Sequence, residues 1–231
     1  MTSTDDRYAE FPDGFFARQD ESDDGRFYAQ PRLVTHIDDT AIAAVGDLYR
    51  ALGLQGRVID LMSSWISHFP QAPDALVAVG RNAAELSRND QAVGGIVCDL
   101  NRSPLLPFAD ASFDAATCCV SVDYLNRPLE VFDEVARVLR PGAVFCCTFS
   151  NRCFPTKAIA GWLATDDDMH VQIVSRYFAL SGGWEPAEAI LAPGTGRGTD
   201  PLFAVLAARS GAPAGAGEAD DAPDVGDAPR P

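Results

Sequence analysis

"RVIDLMSSWISHFP", residues 57–70, decides how the chain is to be read. Its first five residues, Arg57 to Leu61, read as a buried strand that ends around the acidic Asp60. In open α/β proteins, ligands bind beyond the carboxyl ends of the strands, and the first strand commonly runs into a glycine-rich turn. Here that turn is Met62-Ser63-Ser64-Trp65-Ile66 and contains no glycine. The question is whether a ligand site has been built differently here or lost.

Working outward, strand and helix signals alternate. "ALVAVG" (75–80) reads as a second strand, "AAELSR" as a short helix and "GIVCDL" (95–100) as a third strand. "FDAATCCVSV" (113–122) is a fourth. "PLEVFDEVARVLRPGA" (128–143) is a helix, with Pro128 in its first turn and an apolar stripe of Leu129, Phe132, Val135, Ala136 and Leu139. "VFCCTFS" (144–150) is a fifth strand, followed by a helical region over about residues 156–181 whose "DDD" at 166–168 suits a helix start. Upstream, "DDTAIAAVGDLYRAL" (38–52) carries a helical face of Ile42, Val45, Leu48, Tyr49 and Leu52, with Asp38 or Asp39 as cap. "WEPAEAIL" (184–191) and "PLFAVLAAR" (201–209) read as two last strands. The link between them is too short for a parallel crossover, so they form an antiparallel pair. The fold class is α/β: a Rossmann-like, seven-stranded, mostly parallel sheet with an antiparallel last strand and helices on both faces.

Composition narrows the function. The 231 residues carry a formal net charge of −15, concentrated at the ends: residues 1–25 hold eight acids against two arginines, and residues 211–231 five acids against one. This balance argues against a nucleic-acid partner, because phosphate contacts need clustered cations. No apolar run approaches the ~20 residues of a membrane helix, and "MTSTDDRYAE" lacks a signal-peptide pattern, so a cytoplasmic location is expected. The six cysteines contain no CxxC pair, and the doublets 118–119 and 146–147 point to opposite faces of their strands, as small core residues. The three histidines have no metal-binding spacing, so no metal is expected. Three units are expected: an acidic, loosely ordered segment 1–25 in which "FPDGFF" docks, a folded domain 26–210, and a disordered acidic tail 211–231.

The segment "VCDLNRSPLLPFADASFDAATCCVSVDYLNRPLEVFDEVARVLRPGAVF" (97–145), within the element order above, resembles the class I S-adenosylmethionine-dependent methyltransferases, particularly the methyltransferase type 11 group. The resemblance covers roughly residues 32–209. It implies S-adenosylmethionine as cofactor and a small-molecule methyl acceptor, and it implies roles by position. Asp60 lies near the methionine part, with Met62, Ser63 and Ser64 in the place of the glycine turn. Gly80 stands where an acidic residue grips the ribose, with Asn82 as a neutral substitute. Asp99 accepts the adenine amino hydrogens and the Leu100 backbone faces the ring edge. Val120 and Ser121 line the methionine and sulfonium. Two departures, the turn at 62–66 and Gly80, support the alternative of a catalytically inactive methyltransferase-like binding or regulatory protein.

Further chemistry is offered by "FSNRCFPTK" (149–157), where Arg152 or Lys157 could hold a substrate anion, Asn151 and Arg152 are catalytic candidates, and Cys153 could be a thiolate activated by Arg152. His36, in "THIDD", is a candidate general base, and Tyr124 a second catalytic candidate. The "GTGRG" at 194–198 lies between two strands and lacks the helix a phosphate loop needs.

Overall fold

In the computed structural model, which describes residues 5–211, the strands β1 (Arg57–Leu61), β2 (Ala75–Gly80), β3 (Ala92–Val97), β4 (Phe113–Cys119), β5 (Leu139–Phe149), β6 (Glu188–Leu191) and β7 (Phe203–Ala208) form one sheet in the order β3-β2-β1-β4-β5-β7-β6. The pairings from β3 through β5 are parallel. β7 inserts antiparallel between β5 and β6, as the short final link requires. The order reverses direction at β1, so the ends of β1 and β4 open a crevice at the carboxyl edge of the sheet.

Two cores clothe the sheet. On one face, α2 (Asp39–Ala51) lays Ala41, Val45 and Tyr49 on Val58, Leu76, Ala115 and Cys146. On the other, α4 (Pro128–Val138) and α6 (Asp167–Leu180) place Phe132, Val135, Val174 and Phe178 against Ile59, Ala116, Phe145 and Cys147. The cysteine doublets split between these faces: Cys146 joins the first core and Cys147 the second. All six cysteines are free thiols. Asp38 caps α2 by accepting from the Ala41 amide, and Asp166 caps α6 by accepting from Met169.

Element ends differ from the sequence reading in three places. The helix expected over 128–143 stops at Val138, because Leu139 already pairs with Phe113. The register then shifts so that Ala115 meets Val144, and Pro141 and Gly142, the latter at φ +80°, occupy the slack. β3 begins at Ala92 and ends at Val97, not 95–100, so Asp99 stands in the following turn, where its Oδ1 accepts from the Asn101 amide. The helical region 156–181 divides into α5 (Ala160–Leu163) and α6.

Residues 5–25, expected to be loosely ordered, are docked. Phe11, Phe15 and Phe16 pack tilted and edge-to-face on one another, Phe11 and Phe16 reach Tyr177, and a Cβ at Gly161 would meet the Phe15 ring at 2.2 Å, so glycine is what lets the ring lie on α5. The tail 212–231 lies outside the described residues. Among the described residues no helix is long and apolar enough to cross a membrane.

Candidate cofactor cleft

The crevice is a cavity of about 490 Å³, within the usual range for small-molecule sites. His36, Asp60, Met62, Ser63, Ser64, Gly80, Asp99, Leu100, Val120, Ser121, Tyr124, Asn151 and Arg152 all border it. Residues 57 to 152 in sequence are gathered here because the parallel strands β1 to β5 end at the same edge of the sheet. Asn82 is the exception. Its Oδ1 caps α3 (Ala83–Leu86) by accepting from Ala84 and Glu85, and its Nδ2 donates to the Tyr28 and Ala29 carbonyls. The side chain has no group left for a ribose.

The glycine-free turn is held by side chains. Asp60 is only 2% exposed, and its two oxygens accept from the hydroxyls of Ser63 (2.6 Å), Ser67 (2.7 Å) and Thr117 (2.6 Å). Desolvation raises its pKa despite these three bonds. Met62 takes the left-handed φ of +52° that glycine normally supplies. The Ser63 amide then donates to the Val79 carbonyl at 2.8 Å, folding the turn over the end of β2. The two departures seen in the sequence are therefore one. A Cβ at Gly80 would lie 2.1 Å from the Ser63 carbonyl oxygen, so this turn and an acidic side chain at position 80 exclude each other.

The opposite wall is an N-terminal strap that includes α1 (Asp24–Phe27). Lys157 is fully buried and donates to the backbone carbonyls of Asp20 and Ser22. It also pairs with Asp20 (3.0 Å) and Asp24 (2.9 Å). It fastens the strap, which removes it from the candidates for a substrate anion. Arg18 binds both oxygens of Asp24. Further along, the Arg32 guanidinium sits 4.4 Å over Phe27 and 5.5 Å from Phe154, and its amide donates to Glu85 at 2.6 Å. Trp65 lines the cleft without filling it and ties the turn to the strap by donating from Nε1 to the Val34 carbonyl.

The candidates for chemistry differ in state. His36 packs edge-on to Phe154, and desolvation, aided by the Arg32 charge, lowers its pKa below the usual imidazole value. Tyr124 is buried, its oxygen accepts from the Phe154 amide at 2.8 Å, and burial pushes its pKa well up. Burial raises the Cys153 thiol, with Asp123 adding to the shift, so activation by Arg152 is not what this site provides. Arg152, 62% exposed in its side chain, lies 3.5 Å from Asp200 at the mouth. Arg81 lies 3.5 Å from Asp99 and 3.7 Å from Asp23, with its Nε buried and unpartnered. Arg32 Nη1 and His68 Nδ1, in two other residues that border the cleft, are likewise buried without partners.

This donor set fits S-adenosylmethionine: unpartnered guanidinium N–H groups suit a carboxylate, Asp99 and Glu85 suit amino and hydroxyl hydrogens, and the volume is adequate. Glu85 and Arg32 were not singled out in the sequence. The only signal for Glu85 was its place three residues after the helix cap Asn82, the spacing of a capping box. Here it turns away from that cap towards the cleft.

Residues 66–147 match the family described as "Methyltransferase domain". The biotin biosynthesis bifunctional protein BioHC of Teredinibacter turnerae is 32% identical over 66 residues, which is 29% of this chain and 12% of that protein's length. Among solved structures, a SAM-dependent methyltransferase from Thermotoga maritima superposes with a TM-score of 0.54 at 13% identity, covering 74% of this chain and 90% of that one. The [4+2]-cyclase SpnF gives 0.52 at 14% identity, over 78% and 89%. The chain has the fold of the class I S-adenosylmethionine-dependent methyltransferases, and S-adenosylmethionine is the cofactor of that family.

Proposed function

We propose that the protein is an S-adenosylmethionine-dependent methyltransferase acting on a small-molecule acceptor. The observation that carries this reading is the gathering of Asp99, Ser121, Glu85 and Arg32 around one cleft at the switch point of the sheet, walled on one side by a fastened strap. A cleft of about 490 Å³ suits a cofactor with a small acceptor, and the acidic chain disfavours a nucleic acid.

S-adenosylmethionine bound there would supply a methyl group on a positively charged sulfur, already activated for in-line attack. The chain's contribution is then mainly placement. The lowered pKa of His36 keeps its imidazole neutral near pH 7, so a ring nitrogen is free to take a proton from the acceptor. Tyr124 is too strongly held protonated to act as that base, but its O–H hydrogen remains available to donate. Asn151 and Arg152, both exposed at the mouth, are placed to orient the acceptor.

A competing reading, a binding protein on the same fold, draws on Gly80, which carries no ribose acid and has no room for one. Isothermal titration with S-adenosylmethionine and S-adenosylhomocysteine, alongside Asp99→Ala, decides between them. Micromolar binding that weakens at least tenfold in the variant is expected, on the order of one charged hydrogen bond. No binding of either ligand at millimolar concentration overturns the methyltransferase reading.

A further inference from the structure

We infer that Glu85 holds the ribose hydroxyls, doing from helix α3 what position 80 cannot do from strand β2. The inference rests on the cofactor reading above. A ribose diol presents two O–H donors, which a carboxylate with free lone pairs accepts well. Position 80 is closed to any side chain, because its Cβ would lie 2.1 Å from the Ser63 carbonyl oxygen. The acceptor must come from elsewhere on the same wall.

Among the described residues, four carboxylates border the cleft: Asp24, Asp60, Glu85 and Asp99. Two are committed within the protein, and the third, Asp99, is the one the cofactor reading gives to the adenine amino group. Asp24 is paired with Arg18 and Lys157. Asp60 takes three hydroxyls and faces the turn's interior. Asp99 accepts from the Asn101 amide and lies beside Arg81. Glu85 is different. It is 7% exposed, it has no cationic partner among the described residues, and each oxygen accepts one neutral donor at 2.6 Å: the Arg32 amide on Oε1 and the Ser64 hydroxyl on Oε2. A carboxylate has about four acceptor sites, so roughly two remain open.

The placement follows from the same turn that closes position 80. Ser63 leans over β2 and carries Ser64 with it. Ser64 draws the Glu85 carboxylate away from its own helix cap and into the cleft wall between β2 and the strap. The strap contributes the Arg32 amide, so turn, helix and strap meet at this one side chain.

The test compares S-adenosylhomocysteine with its 2′-deoxy and 3′-deoxy counterparts by isothermal titration, on the wild type and on Glu85→Gln. The wild type should bind at least one deoxy ligand about 10- to 100-fold more weakly, the range for a hydrogen bond to a charged acceptor. Glu85→Gln should bind the parent ligand more weakly by a similar factor and discriminate the deoxy ligand less than about threefold, because the lost partner is the same. Full wild-type discrimination retained in Glu85→Gln overturns the assignment. So does a wild type that binds all three ligands equally, an outcome that needs no folded variant. Failure of the wild type to bind S-adenosylhomocysteine at all instead overturns the cofactor reading on which the assignment rests.

Discussion

Asp60 and Asp24 anchor the two walls of the cleft, and they do so with opposite kinds of partner. Asp60, at the end of β1, takes three neutral hydroxyls. Asp24, in the strap, takes two cations, Arg18 and the fully buried Lys157. Desolvation pushes both carboxyls up. At Asp60 the hydroxyl bonds do not offset it and the pKa stays raised. At Asp24 the bonds to Arg18 and Lys157 outweigh it and the pKa is lowered. Hydroxyls can turn round and accept instead of donate, whereas a buried ammonium cannot. The sheet-side wall is therefore tolerant of a neutral anchor, and the strap is not.

The largest effect should come from Asp24→Asn. It leaves Lys157 and Arg18 buried without their shared carboxylate, and breaking such a cluster costs about 3–5 kcal/mol. Urea denaturation should show the loss, with hydrogen exchange over residues 18–28 rising to that of an open segment. A strap that stays protected in this variant would break the comparison.

Next is Gly80→Asp, which supplies the acid that the family resemblance expects at this position. Overpacking against the Ser63 carbonyl should cost about 1–3 kcal/mol and weaken S-adenosylhomocysteine binding at least tenfold. A gain in affinity would show that the turn yields.

Asp60→Asn sharpens the contrast. Its amide can donate to a hydroxyl that has rotated, so the loss should be about 1 kcal/mol, well below that of Asp24→Asn. Equal losses in the two variants would remove the distinction between the anchors.

The smallest effect is the response to acid. The raised pKa of Asp60 means its burial is most favourable below the ordinary carboxylate range and is opposed as pH rises through the raised value. The lowered pKa of Asp24 means the reverse: its contribution is complete above the ordinary range and is lost as pH falls through the lowered value. Taking the pH from 7 to roughly 4 should therefore raise the protection factors of the amides at residues 63–67, with intrinsic exchange rates divided out, while leaving those of residues 18–28 unchanged. Further acidification should release the strap first.

How much was legible in the sequence follows the range of the interactions. The alternation of strands and helices, the antiparallel end and the stripe of α4 as far as Ala136 follow from periodicity and loop length, which are local, and the structure carries them. The gathering of the cleft residues at one edge follows from strand direction. What stayed hidden depends on partners far along the chain. Lys157 looked available for a substrate because the Asp20 carbonyl that accepts from it lies 137 positions away. Asn82 looked like a ribose ligand because nothing in "GRNAAEL" shows its bonds to Tyr28 and Ala29. The glycine-free turn looked degraded because the Thr117 hydroxyl that steadies Asp60 comes from another strand. A position whose role is fixed by a distant donor cannot be assigned from its own neighbourhood.

The closeness of Gly80 to the Ser63 carbonyl also bears on how such a sequence can change over time. An acid placed at 80 alone collides with the turn, and a relaxed turn alone leaves the wall without an acid at 80 while loosening Ser64 from Glu85. Each single step is worse than either end point. The two arrangements are thus separated by a valley that only paired substitutions cross, and descendants of this chain should keep Gly80, Ser63, Ser64 and Glu85 together or exchange them together.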